Sequence, residues 1–256
     1  MTLLGNAVIA IWHDIVPEGR VEFIEWHNRE HMPERVGIPG FLRGRRYSAE
    51  YGSPQYYTLY EAENKGVLVG RDYLERLNNP TPWTQKSITF FRNVSRGLCS
   101  VACSHAHGDG GFMLTLRFDV ENPQKGPLKD HLCETLLPVL VQTAGVTGVH
   151  LCITDRDVSR TGAIDIPNWI VMIEASLPAA ADKACDRLLA DDEAAPCTAA
   201  SQRGLYSLEV TRLKKQILYD TTLAGSTGAF PWLEKRLSAL RHLVAKRRPR
   251  SGRRAR

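Results

Sequence analysis

The sequence predicts an α+β fold in which two tandem β-α-β-β-α-β units pack sheet against sheet as a barrel within one chain. Three observations lead there. The chain partly repeats itself: Arg96-Gly97-Leu98-Cys99-Ser100-Val101 returns as Arg203-Gly204-Leu205-Tyr206-Ser207-Leu208. The run YYTLYE from Tyr56 returns in character as WIVMIE from Trp169, and Pro33…Pro39-Gly40-Phe41 has an echo in Pro138…Thr147-Gly148-Val149. The offsets are 107, 113 and about 105 to 108, roughly half of the 256 residues. The same order of element types runs through both halves. Finally, one such unit leaves one sheet face bare, and a second unit can cover it.

The first half opens with a β-rich apolar run at 7–15, followed by good helix formers at 20–36. Aromatic and β-branched strands at 40–50 and 55–62 flank a Gly-Ser-Pro turn. A short helix at 70–77 and a strand at 94–104 complete the unit. In the second half, 112–120 alternates as a strand. Leu128, His131, Leu132, Leu136, Val139 and Leu140 form a helical stripe. Strands follow at 146–154 and 169–175, a helix at 179–190 and a last strand at 204–212. Pro33 is expected to end or kink the first helix.

The expected limits are 1–106 for a site-bearing ferredoxin-like repeat, 107–216 for a structural one, 217–245 for an extension with a helix at 231–246, and 246–256 for a disordered basic tail. The formal charge of +5 belongs to that tail. Lys246, Arg247, Arg248, Arg250, Arg253, Arg254 and Arg256 account for seven of 33 basic residues, and the remaining 26 face 28 acidic ones. The body is not the basic surface of a nucleic-acid binder, so no such partner is expected. Apolar runs fall short of the ~18–20 residues of a membrane span. The N-terminus has no signal-peptide pattern, and the six cysteines lack the spacing of a disulfide framework or zinc cluster. Reduced thiols and a cytoplasmic location are expected.

The chemistry-bearing stretch is Trp26-His27-Asn28-Arg29-Glu30-His31-Met32-Pro33-Glu34-Arg35. On a helix, His27 and His31 share a face with Phe23 and Ile24, and Glu30 lies three residues from His27. The second half offers Leu132 and Leu136 in the equivalent places. One unit is thus packed for stability and the other equipped with polar groups. The His-x-x-Glu-His spacing also matches a zinc-protease motif, but no third ligand is placed, and no metal is expected. Arg45 and Tyr47 share one strand face and Arg46 takes the other. An arginine on this mostly buried strand needs an anion: Glu30, Glu61 or a substrate carboxylate. Trp12, Trp26 and Tyr60 belong to an aromatic wall. Pro80-Thr81-Pro82-Trp83-Thr84 reads as a stiff loop whose indole, Trp83, lids a small apolar cavity.

These residues, with Pro39-Gly40-Phe41, Arg45-Arg46-Tyr47, Tyr57…Tyr60-Glu61 and Arg92-Asn93…Arg96, resemble the EthD-like branch of the dimeric α/β-barrel superfamily over about residues 7–104. The resemblance implies a ferredoxin-like barrel with a pocket between sheet and helices. The superfamily's members include cofactor-free monooxygenases, cyclases, isomerases, dehydratases or decarboxylases, and haem proteins, so the fold does not settle the reaction.

The leading expectation is a cofactor-independent lyase or isomerase acting on a small aromatic or cyclic oxygenated metabolite. His27 or His31 is the general base, oriented by Glu30. Arg45 or Arg46 with Tyr47 holds the developing anion, and Trp12, Trp26, Tyr60 and Trp83 contact the substrate. The alternatives are a cofactor-free monooxygenase, a barrel using haem, and a non-catalytic binder. A homodimer is the expected assembly.

Overall fold

The computed structural model describes residues 3–155 and 167–217. Contacts divide the chain at residue 217. The helix expected at 231–246 and the basic tail therefore lie outside the described residues.

The described residues form eight strands in the order β-α-β-β-α-β twice: β1 (Ala7–Ile15), β2 (Phe41–Tyr51), β3 (Tyr56–Ala62), β4 (Phe91–Ala106), β5 (Phe112–Phe118), β6 (Val146–Thr154), β7 (Trp169–Ala175) and β8 (Gln202–Leu213). They close into an antiparallel barrel in the order β1-β3-β2-β8-β5-β7-β6-β4. The first four strands stand as 4-1-3-2 and the last four as 8-5-7-6. Each set leaves a β2-type edge and a β4-type edge. The β2–β8 and β4–β6 pairings join these edges, so no barrel strand is left with an open side. The fold is α+β, with helices packed outside a closed sheet.

Strand alternation divides the side chains into two layers. Val8, Ala10, Trp12, Tyr47, Tyr57, Leu59, Cys99, Met113, Ile170, Met172 and Tyr206 fill the barrel interior. Outside β5–β8, Leu114, Leu116, Leu132, Leu137, Val149, Ile173 and Leu188 make a continuous aliphatic core under the helices. The corresponding layer outside β1–β4 is not aliphatic throughout, and it carries the cavity.

The first helix does not end at Pro33, one of the two outcomes expected there, but runs on through it. It reads α at Arg20–Trp26, π at His27–His31 and α again at Met32–Gly37. Pro33 cannot donate to the carbonyl four residues back and crowds it. A five-residue turn, with Met32 N–H donating to His27 O, lets the helix continue past that ring. The same device recurs at Leu132–Leu136, where Leu137 N–H donates to Leu132 O and Pro138 follows. Gly40 and Gly145 take positive φ, 83° and 86°, just ahead of β2 and β6. The glycine in the place of Gly40 is thus Gly145, not the Gly148 suggested by the sequence echo. Gly148 lies within β6.

Pro82–Ser87 is a helix rather than a stiff loop. Thr81 Oγ1 accepts from Thr84 N–H as its N-cap and Pro82 opens it. The cysteines also depart from expectation. Cys103 on β4 is bonded to Cys133 in the second π turn, with Cα atoms 5.6 Å apart. Thirty residues separate them in sequence, and the helix–sheet packing brings them together. Cys99, Cys152, Cys185 and Cys197 are free. Among the described residues, no helix is long and apolar enough to cross a membrane.

Candidate active site

A cavity of about 380 Å³ lies between the outer face of β1, β3 and β4 and the helices that cover it. Strand period two places Ile9, Ile11 and His13 of β1, Thr58 and Tyr60 of β3, and Val94 and Arg96 of β4 on this face. The first helix contributes Trp26, His27, His31 and Arg35, and Leu77, Pro80, Thr84 and Ile88 close the far wall. The size and mostly apolar lining suit a small organic ligand.

His27 is buried and tied at both nitrogens. Arg46 Nη1 lies 3.1 Å from Nδ1 and Tyr60 Oη lies 3.1 Å from Nε2. Guanidinium only donates, so Nδ1 accepts and the ring proton sits on Nε2. Burial, reinforced by Arg46 and then His13, pushes the His27 pKa well down, which keeps this neutral tautomer. Nε2–H then donates to Tyr60 Oη. The Tyr60 hydroxyl, its own pKa raised by burial, is left protonated and free to donate elsewhere. Arg46 is held in turn by Glu209 Oε2 at 2.7 Å and Asn28 Oδ1 at 2.9 Å.

His31 is different. Its ring stacks on Trp26 with centroids 4.3 Å apart. Nδ1 is buried without a hydrogen-bond partner, 4.0 Å from Glu34 Oε2. Burial, then the Arg35 charge, then His27 and His13, hold its pKa well below the ordinary value. It is a neutral imidazole in an apolar chamber. His13, packed against Phe23, Tyr56 and Phe91, is pushed down to about 3 by burial, over the opposing pull of Asp14.

Trp26, His27, His31 and Tyr60 thus meet around the cavity, with Arg46 behind His27. Glu30 does not orient either imidazole. It accepts from Thr81 Oγ1 and Thr84 Oγ1, pinning the helix Pro82–Ser87 to the first helix. Trp83 turns away from the cavity, and its Nε1–H donates to Glu22 Oε1 at 2.7 Å. Trp12, Arg45 and Tyr47 point to the opposite side of the sheet, into the barrel. There Arg45 makes a two-pronged contact with Glu174, at 3.0 and 3.1 Å, and a 3.2 Å contact with Glu61. Glu61 was one of the three partners expected for it. Burial alone would raise the Glu174 carboxyl, but Arg45 and His150 hold it well below the usual carboxylate range. This strip is internal cross-linking, separated from the cavity by the sheet.

Sequence reasoning missed His13 and Tyr73, and it quoted Arg35 and Arg96 without giving them a place in the site. The signals were present. His13 continues the Ile9, Ile11 alternation of β1, and Arg35 lies four residues beyond His31. Among the described residues, no group of three or more His, Cys, Asp or Glu is arranged to hold a metal ion.

A closed antiparallel barrel with helix-covered outer faces and a cavity beneath one of them is the ferredoxin-like α/β-barrel fold that the sequence resemblance implied. No protein-family model and no curated protein matches the sequence. Solved structures do match. An anthrone oxidase-like protein is 14% identical, with 84% of this chain and 96% of that one covered and a TM-score of 0.57. A candidate monooxygenase from Fusobacterium nucleatum is 9% identical, with 82% and 96% covered and a TM-score of 0.54. A mutant chlorite dismutase from Candidatus Nitrospira defluvii is 10% identical, with 86% and 97% covered and a TM-score of 0.51. At such identities the likeness is one of fold, and the reaction must be argued from the site.

Proposed function

We propose that the protein is a cofactor-independent enzyme that abstracts a proton from a small oxygenated aromatic or cyclic molecule, with His31 as the base. The observation that carries this is the neutral imidazole of His31, which lines the apolar cavity, stacks on Trp26 and makes no hydrogen bond at either ring nitrogen among the described residues. A base must be free before it can act, and His27 has both nitrogens engaged. His31 takes the proton from a carbon next to a carbonyl, and the electron pair moves onto that carbonyl oxygen. The Tyr60 hydroxyl, turned outward by His27, donates to the developing oxyanion. His27 and Arg46 are positioning residues that fix this donor. Return of the proton to another carbon makes the reaction an isomerisation, and loss of a leaving group makes it an elimination.

The same anion can instead pass electrons to O₂. The names of the structural neighbours, anthrone oxidase-like and monooxygenase, favour keeping this second reading. Anthrone plus O₂ would then give anthraquinone plus water. Residues 1–106 are the site-bearing repeat in this proposal and 107–216 the structural one, consistent with polar groups under one helix layer and leucines under the other.

The test is deuterium exchange into anthrone in D₂O, followed by NMR, under nitrogen and then in air. Wild type should exchange under nitrogen, and His31→Ala should slow exchange at least 100-fold with little change in Tm. Quinone formation in air assigns the second reading. Wild-type exchange by His31→Ala removes the base assignment. A haem iron would compete for the same imidazole, so a Soret band on haem titration that His31→Ala abolishes would replace this reading.

A further inference from the structure

Among the described residues the other buried arginines have hydrogen-bond partners, and Arg35, in the cavity wall, has none. Arg43 lies 2.7 Å from Glu61, Arg45 3.0 Å from Glu174 and Arg46 2.7 Å from Glu209. Arg117, at the barrel end, donates to Ser53 O and covers the Trp12 ring at 4.5 Å. Arg35 is 7% exposed and lines the cavity, yet Nη1 is buried without a hydrogen-bond partner, and the guanidinium makes no ion pair among the described residues. It rests over the ring of Tyr73, 5.7 Å from the centroid. Arg96 meets the same ring at 5.8 Å, and its Nη2 donates to Tyr73 Oη. The Glu34 carboxyl feels the Arg35 charge, but it makes no ion pair with the guanidinium, and a cation–π contact replaces only part of the hydration lost on burial. A cavity-lining guanidinium with no carboxylate in direct contact marks a place for an anion from outside.

We infer that the cavity takes an aromatic anion, a carboxylate on a ring system of about naphthalene size, with the carboxylate on the Arg35 guanidinium and the rings against Ile9, Ile11, Phe91 and Val94. This deepens the proposed function by adding the charge class of the substrate, and it rests on the reading that the cavity is the substrate site. The placement has a chemical consequence. Arg35 stands one helical turn past His31, on the same face, where side chains lie roughly 5–6 Å apart. Its charge is part of what keeps His31 a weak base. A bound carboxylate offsets that charge, so the imidazole becomes a stronger base when the substrate arrives.

The test is calorimetric binding of 2-naphthoate and of its neutral counterpart 2-naphthamide to the full chain, for wild type, Arg35→Gln, Arg35→Lys and His31→Ala. Wild type should bind the naphthoate at least tenfold more tightly than the amide. Arg35→Gln should erase the ratio, Arg35→Lys should keep part of it, and His31→Ala should keep it. A ratio near one in wild type, a ratio that survives Arg35→Gln, or no binding of either probe overturns the inference. Folding is checked independently. Without ligand, Arg35→Gln should melt at or above the wild-type temperature, because it removes an unpaired buried charge. A large fall in Tm would reveal a structural partner and also overturn the inference. No turnover is measured in these experiments, so a preserved ratio alongside failed anthrone exchange leaves the anion site standing without the proposed chemistry.

Discussion

Acidification from pH 7 to pH 5 should destabilise this protein through its buried histidines, and His13 allows the share of one of them to be measured. Its folded pKa is about 3, against 6.5 for an unperturbed histidine. Between pH 7 and 5 the unfolded chain takes up a proton at this position and the folded protein does not. Stability is therefore fully present above pH 6.5 and is lost as pH falls toward 3. Linkage gives about 2 kcal/mol for this one group over the interval, and His27 and His31 act in the same direction. Glu34, whose pKa burial raises, opposes them in part. The perturbation is His13→Phe. A phenyl ring suits a site walled by Phe23, Tyr56 and Phe91, and it removes a buried Nδ1 that has no hydrogen-bond partner. Urea unfolding at both pH values, with m unchanged, is the assay. Wild type should lose more stability than the variant by about 2 kcal/mol. Equal losses would show that His13 is protonated when folded, and that burial does not govern the cavity histidines.

Two further outcomes follow from the packing. Unfolding without reductant should expose four titratable thiols of the six. Reducing the Cys103–Cys133 bond should cost about 3–4 kcal/mol, from the entropy of its 30-residue separation, and a count of six thiols would contradict the pairing. Glu174→Gln removes the carboxylate that Arg45 and His150 share inside the barrel, while Arg45 keeps its 3.2 Å contact with Glu61, so urea unfolding should show a loss of about 1.5–3 kcal/mol, whereas a loss below about 0.5 kcal/mol would mean that the internal strip is not the buried cross-link described.

Much of the fold was legible because periodicity reports burial directly. Strand boundaries at 7–15, 146–154 and 169–175 emerge unchanged, since alternation and β-branched runs mark a pleated surface with two different faces. The π turns were not legible. They depend on how a helix passes a proline ring, and sequence rules treat proline as a break. Short helices such as Pro82–Ser87 were lost to the same punctuation, although Thr81-Pro82 carries a cap signal.

For the site, the sequence alone determined which stretch is chemically unusual and that Arg45 and Arg46 face opposite ways. Both follow from local geometry, the helix and strand periods that every chain obeys. Only the tertiary structure decided which face is the cavity. Arg45, Tyr47 and Trp12 fell to the barrel interior because closure of the sheet turns that side inward, where Glu174 comes from the other half of the chain, 129 residues away. Glu30 went to Thr81, and His27 to Arg46 and Tyr60, because hydrogen-bond partners are chosen by distance in space. His31 and Arg35, which line the cavity without a hydrogen bond or a close ion pair, could be recognised only once the partners of the neighbouring polar groups were known in space.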